Sequence, residues 1–367
     1  MELPVYSFEG ATVYGGDCVA TMNHLAPASV DAVITDPPYG IDMTSRGWDS
    51  FGSTRDAPRA EDTCHPGRAD AFEAWCRDWA SACLRVLKPG GHLIAFGSPR
   101  KWHRLACAIE DSGFEIRDQI AWLYSTGYPK SRDISAAIDE HHNVIRFDRR
   151  TESNGSGATY GKRHRVLDKG TPVTEDAIHW QGWGSGLRPG YEPIVVARKP
   201  LDGPLAENVL THGTGAINIA AATNDRGRWP ANVAIDRNLI PLLDTQSGRE
   251  AGDSAMIFPA FMFVPKADKT ERPKFDQVAH PTVKPLTLMR WLCRIFTPQS
   301  GLVLDPFAGS GTTLEAALLE RFRVIGIERE TDYHQLIRIR VTRTQDPLKA
   351  LRLTEEDPGL FEMLDNP

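Results

Sequence analysis

Two short stretches of this 367-residue chain hold residue types that could do chemistry. In Val33–Gly40, VITDPPYG, an apolar run meets an acid, two prolines and a tyrosine. The run reads as a buried strand, and the prolines end it, because they donate nothing to a ladder and fix the backbone. A carboxylate and an aromatic ring thereby sit on a stiff turn at a strand's carboxyl end, where open α/β sheets place ligands. Taken alone, a strand-ending turn with a solvated acid has the same pattern. In the second stretch, LVLDPFAGSGTTLEAALLE, Asp305 closes a strand, Gly309 and Gly311 make a turn, and Thr312 and Thr313 open a helix. Glycines let the backbone approach a ligand closely, and a helix N-terminus favours negative charge. No lysine follows the second glycine as a P-loop requires, and the residues after Gly311 miss the GxGxxG pattern. Glu328 ends the next strand, about 20 residues past Gly309, where such an acid can accept from ribose hydroxyls. Loop and acid together suit a nucleoside ligand without phosphates; a plain tight turn is the alternative.

The elements that position these residues come from both ends of the chain. Val30–Thr35 reads as a strand, and 71–88 as an amphipathic helix with Phe72, Trp75, Cys76, Trp79, Cys83 and Leu87 at helical spacing. HLIAFGS is the next strand, RKWHRLACAIEDSG a helix ended by Gly113, and FEIRDQIAWLY a further strand. Strand and helix alternate as in a parallel sheet with crossover helices. Residues 41–70 have no periodicity and read as a mobile surface loop. Regularity fails again from Ser125 to about Gly190, YEPIVVARKP is one more strand, and MIFPAFMFVPK is an aromatic strand candidate. Order returns at Pro285, with helix LTLMRWLCRIF, strand GLVLD, the glycine loop and its helix, strand FRVIGIE and helix TDYHQLIRIRVTR. The pattern predicts one sheet assembled from two remote segments, with irregular material between them and a loose tail after it.

Composition bounds the function. Hydrophobic content of 41% and charged content of 25% are those of a soluble globular protein, long enough for about two domains. A net charge of −6 puts any polyanion-binding charge in local patches. The six cysteines form no CxxC pair, and Cys64–His65 and His141–His142 lack the companions of a metal site, so reduced thiols and no metal are expected. The N-terminus has no basic or apolar leader pattern and no apolar run could span a bilayer, which points to a cytoplasmic protein.

Together the motifs resemble those of the S-adenosylmethionine-dependent DNA amino-methyltransferases. DPPY, Asp36–Tyr39, matches their catalytic motif, DPFAGSGTT, Asp305–Thr313, their cofactor loop, and HPTVKP, His280–Pro285, the segment before that loop. GDC, Gly16–Cys18, matches a contact to the cofactor's adenine. Catalytic motif first and cofactor loop last is the order of the circularly permuted β group, with phage and restriction-modification members. The resemblance covers about half of the chain and agrees with the split sheet. It implies a Rossmann-like, doubly wound, mostly parallel α/β sheet of the class I methyltransferase type, with an inserted irregular target-recognition region. The expected division is a catalytic half at 1–127, a loop-rich insertion at 128–190, a returning strand at 191–200, target recognition at 201–279, a cofactor half at 280–345 and a tail at 346–367.

The implied reaction is methyl transfer from S-adenosylmethionine to N6 of adenine in double-stranded DNA. A DPPY ending is typical of the adenine enzymes, whereas cytosine-N4 enzymes more often carry SPPY. Cytosine N4 is the alternative base, and a non-catalytic DNA-binding protein on the same scaffold is the alternative of another class. The amine's lone pair is delocalised into the ring, so Asp36 would accept one N–H and a proline carbonyl, that of Pro37, the other. Pro37 and Pro38 hold the acceptors rigid, and Tyr39 offers a face on which a flipped base stacks. The resemblance assigns Asp305, Pro306, Phe307, Ala308, Gly309, Ser310, Gly311 and Thr312 to the cofactor's methionine and loop contacts. Glu328 goes to its ribose, and Asp17 with Cys18 to its adenine, although Asp17 could equally cap a turn. His280, Thr282 and Lys284 would line the methionine end, with Lys284 at its carboxylate. For DNA phosphates the candidates are Lys130 and Arg132 in GYPKSRD, and Arg149, Arg150 and Arg163 in the basic run from Arg146 to Lys169. RGRWPANV and PKADKTERPK lie in the target-recognition region. Family habit adds a homodimer and a cognate restriction endonuclease as expected partners.

Overall fold

A computed structural model describes residues 4–41, 66–124, 131–144, 146, 170–223, 229–236, 239–248, 260–261, 272–276 and 278–346. The chain divides into two compact units, one of Met1–Ser125 with Tyr191–Pro367 and one of Thr126–Gly190.

The larger unit is built on a ten-stranded sheet. In chain order its strands are β1 (Tyr6–Phe8), β2 (Ala11–Gly15), β3 (Val30–Thr35), β4 (Leu87–Phe96), β5 (Glu115–Leu123), β6 (Tyr191–Arg198), β7 (Val233–Asp236) and β8 (Ala260–Phe261), then β11 (Leu302–Asp305) and β12 (Arg323–Glu328). The short strands β9 (Lys274–Phe275) and β10 (Val278–Ala279) pair only with each other. The sheet order is β1-β2-β12-β11-β3-β4-β6-β5-β7-β8, in which β1 and β6 run against their neighbours and all other pairs are parallel. The two C-terminal strands thus slot between β2 and β3, the split assembly that the pattern predicts.

Helices cover both faces. On one, α1 (Cys18–Asn23), α2 (Pro66–Val86) and α3 (Trp102–Asp111) bury Met22, Cys76, Trp79, Cys83, Leu105 and Ile109 against Val33, Leu93, Val195 and Leu304. On the other, α8 (Leu286–Phe296), α9 (Thr312–Leu319) and α10 (Thr331–Thr344) meet Ile34, Ile94, Phe96, Ile194 and Val303. Successive strand residues therefore face opposite layers, and both are apolar, which is why β3 and β4 read as continuous apolar runs. The same unit carries α6 (Leu205–His212) and α7 (Ile240–Ser247). Among the described residues no helix is long and apolar enough to cross a membrane.

The smaller unit holds α4 (Ile134–His141) and α5 (Glu175–His179). Asp133 caps α4 by accepting from Ala136 N at 3.0 Å. The buried Asp139 ties the two helices together, accepting from Arg146 Nε at 2.5 Å, Thr174 Oγ1 at 2.7 Å, and the Thr174 and Val173 amides at 3.0 Å each. Burial opposes its charge, and those donors hold its carboxyl below the usual range all the same.

Two details differ from the pattern reading. The helix read over 71–88 begins earlier, at Pro66 inside the stretch read as loop, and stops at Val86, because Leu87 already pairs with Val30 at the start of β4. YEPIVVARKP forms β6, which enters antiparallel between β4 and β5, so those two strands point the same way without touching. The loop read at 41–70 lies outside the described residues from 42 to 65. So do the tail from 347 onward and all of MIFPAFMFVPK except the two residues of β8.

Candidate active site

The site is assembled by strand pairing. Val303 and Leu304 of β11 lie beside Ala32 and Val33 of β3, so the two strands end together. Their following residues, Asp305 and the Thr35–Tyr39 turn, meet at one edge: Thr35 Oγ1 donates to Asp305 Oδ1 at 2.7 Å across 270 residues of chain. β12 lies on the other side of β11 and β2 beyond it, with Glu328 beside Gly15 in register. Four carboxyl ends from remote parts of the sequence thus line one rim, where parallel α/β sheets place their ligands.

On the β11 side, Asp305 closes its strand and also accepts from the Phe307 amide at 3.1 Å. Burial, opposed by the Thr313, Thr35 and Phe307 donors, raises its carboxyl to about 6. Gly309 and Gly311 have φ of 53° and 85°, a region that costs other residues strain. A Cβ on Gly311 would lie 3.1 Å from the Ile337 backbone, so the turn also needs a residue without one. Ser310, Thr312 and Thr313 are buried at the start of α9. Glu328 accepts from the Gly309 amide and from the Glu330 amide, each at 2.7 Å. Burial pushes its carboxyl up to about 7 in spite of those two donors. A carboxylate has about four acceptor positions, so about two remain for a ligand's hydroxyls. The acid, the open glycine turn and the helix start fit the ribose and loop contacts of a bound nucleoside.

The remaining cofactor candidates fall around this loop. His280 packs on Tyr333 with ring centroids 4.6 Å apart, and its Nε2 would lie 3.0 Å from a Cβ placed on Gly309. His280 Nδ1 is bonded to the Thr282 carbonyl. Phe307 packs on Trp75 and Trp79 at 5.4 and 5.5 Å, and Ala308 N donates to Ile327 O at 2.9 Å. Asp17 caps α1 by accepting from Ala20 N at 3.0 Å, the role of a turn cap, while Gly16 N donates to Glu328 O at 3.1 Å. Cys18 is buried beside it, and that burial pushes its thiol up to about 12.

On the β3 side, Pro37 is buried while Asp36, Pro38 and Tyr39 are half-buried. The Tyr39 hydroxyl lies 2.8 Å from Asp36 Oδ1. Burial, then the nearby Asp36 and Glu192 charges, keep that phenol protonated well above its ordinary range. Lys284 donates to Asp36 Oδ2 at 2.8 Å and to the Tyr39 hydroxyl at 3.0 Å, and its Nζ lies 4.8 Å from the Phe96 ring centre. It also pairs with Glu192 Oε2 at 3.1 Å. Burial works against the ammonium, but the two carboxylates outweigh it and hold Lys284 charged above its usual range. The sequence expectation set Lys284 toward the cofactor's carboxylate; in the structure its ammonium bonds Asp36 and Tyr39 of the DPPY turn.

Glu192 and Thr35 are the members of this rim that sequence reading missed. Glu192 is the second residue of β6, and an antiparallel strand brings its amino end to the rim where parallel strands bring their carboxyl ends. Its signal was an acid just before a proline and an apolar run. Thr35 was hidden inside the apolar run itself. Of the DNA candidates, Arg132 lies in the smaller unit 3.1 Å from Glu140, and Lys130, Arg149, Arg150 and Arg163 lie outside the described residues.

Comparison with known proteins adds identity to this geometry. Residues 30–338 match the N6/N4 methyltransferase family described as DNA methylase. The Type II methyltransferase M.HindIII of Haemophilus influenzae is 26% identical over 348 residues, covering 88% of this chain and 93% of its own. The DNA adenine methyltransferase YhdJ of Escherichia coli is 23% identical, covering 96% of this chain and 95% of its own. The solved PvuII DNA methyltransferase (cytosine-N4-specific) shares the fold, at 14% identity and a TM-score of 0.51, with 96% of each chain covered. The chain belongs to the N6/N4 family of DNA methylases, enzymes that methylate exocyclic amines of DNA bases with S-adenosylmethionine.

Proposed function

We propose that this chain methylates N6 of an adenine turned out of double-stranded DNA at a specific sequence. The observation that carries the reading is the junction of β3 and β11, where the acid of DPPY and the glycine loop end side by side. The DPPY ending, and the adenine activity in the name of the relative YhdJ, favour adenine over cytosine.

S-adenosylmethionine, when bound, supplies a methyl group on a positively charged sulfur. The chain's own residues must make an adenine amine attack it. Asp36 accepts one N–H through a lone pair not taken by Tyr39 or Lys284, and the Pro37 carbonyl accepts the other. These two acceptors draw the nitrogen toward a tetrahedral shape and place its lone pair toward the methyl. As the new C–N bond forms and the S–C bond breaks, positive charge moves to nitrogen, where the Asp36 carboxylate stabilises it. The nitrogen then sheds one proton, for which Asp36 is the nearest acceptor. Pro37 and Pro38 keep the acceptors from reorganising, and the Tyr39 ring holds the extruded base by stacking, worth roughly 1–3 kcal/mol. On the cofactor side, Glu328 accepts from ribose hydroxyls, and the 305–312 loop with His280 and Thr282 encloses the amino-acid end. Lys130 and Arg132, together with Arg149, Arg150 and Arg163 of the basic run, supply phosphate contacts.

The test is incubation with radiolabelled S-adenosylmethionine and mixed-sequence duplex DNA, followed by separation of the nucleosides. Label is expected in N6-methyladenine and absent with Asp36→Ala. Label in N4-methylcytosine would overturn the base assignment, and DNA binding without any label would leave a non-catalytic DNA-binding protein.

A further inference from the structure

Glu192 belongs to the charge cluster around Lys284, and the reaction has a use for it. Lys284 sits 2.8 Å from Asp36 and 3.1 Å from Glu192, and Glu192 Oε2 also lies 3.1 Å from the Tyr39 hydroxyl. Two carboxylates and one ammonium thus share a single cluster with a net charge of minus one. Without Glu192 the same cluster would be a neutral Asp36–Lys284 pair.

That difference matters because the amine gains positive charge as it takes the methyl. An ammonium bonded to Asp36 opposes this twice: it occupies a carboxylate lone pair that could face the amine, and its own charge repels the developing cation. We propose that Glu192 is a positioning residue that neutralises and anchors Lys284, leaving the negative charge of Asp36 available to the reacting amine. The inference deepens the proposed function and rests on it.

The place of Glu192 in the fold supports this role. It leads β6 into the sheet, pairing with Trp122 of β5, while the Pro193 carbonyl accepts from the Gly97 amide at 2.9 Å just past the end of β4. The carboxylate is therefore fixed by sheet pairing on one side of Lys284, and the proline-stiffened turn fixes Asp36 on the other. The long lysine side chain, lying over the Phe96 ring, is the member that can shift between them. Removing an opposite charge at this range, in a partly buried site, corresponds to about a hundredfold in rate.

The experiment is single-turnover methyl transfer at saturating S-adenosylmethionine and DNA, with cofactor affinity measured separately. Glu192→Gln, nearly the same shape without the charge, is expected to slow transfer about a hundredfold while cofactor affinity stays within about twofold. Glu192→Asp should recover much of the rate. The discriminating variant is Glu192→Gln with Lys284→Met, which should transfer faster than Glu192→Gln alone, because the unneutralised ammonium is gone. A purely structural role predicts no such rescue. Glu192→Gln at the wild-type rate, or a double variant no faster than the single one, would overturn the inference while leaving the proposed function standing. A wild-type protein that labels no DNA amine would overturn the proposed function, and the inference with it.

Discussion

Glu328 should make the cofactor side of this site pH-dependent by an amount that can be worked out. Its carboxyl is raised from 4.5 to about 7, chiefly by burial, so near neutrality the cofactor-free protein holds it partly protonated. The sign for stability follows: the ionised form is disfavoured in the fold, so this group's contribution is full below about pH 4.5 and is lost as pH rises toward 7. Binding runs the other way. If ribose hydroxyls donate to the carboxylate, only the ionised form binds well, and binding releases a proton. With the group at about 7, roughly one-tenth is ionised at about pH 6 and nine-tenths at about pH 8, so the Kd should be about tenfold weaker at the lower pH. The ligand of choice is methylthioadenosine, which has the ribose but lacks the amino acid whose own groups titrate. Calorimetry across this range, in buffers of different ionisation enthalpy, gives both the Kd and the proton released. In Glu328→Gln the affinity should be lower and the pH dependence gone. A flat Kd in the wild type would refute the argument. An inflection near 6 that survives in Glu328→Gln would do so as well, by assigning the proton to Asp305, whose carboxyl is raised to about 6.

Three further outcomes test other parts of the molecule. Asp36→Ala should lower the single-turnover rate by at least about a hundredfold, with cofactor affinity kept, as rapid-quench and equilibrium binding measurements would show. Glu315→Ala leaves the fully buried Arg340, and Arg343 beside it, without the carboxylate that pairs with both. Denaturant titration should give a loss of about 3–5 kcal/mol. Gly311→Ala forces a side chain into a φ of 85° with its Cβ 3.1 Å from the Ile337 backbone. It should cost about 1–3 kcal/mol of stability and weaken cofactor binding, read together by thermal unfolding with and without the cofactor.

Much of this protein was determined by its sequence alone. The apolar runs of β3, β4, β11 and β12 and the periodic faces of α2, α8 and α10 are local signals, because each element must bury an apolar face whatever lies beside it. The proline turn after β3 and the glycine turn after β11 are local too, since they are fixed by backbone chemistry. Their order along the chain was enough to predict one sheet built from two remote segments. Tertiary structure decided what those turns face. Strand pairing set Thr35 against Asp305 at 2.7 Å, although 270 residues separate them. It also turned β6 antiparallel, which brought Glu192 rather than Arg198 to the catalytic rim. Lys284 shows the limit most plainly: motif order gives no sign of the two carboxylates, from β6 and the β3 turn, that flank its ammonium. A side chain's direction depends on which opposite charges surround it in space, and that neighbourhood exists only once the strands have paired.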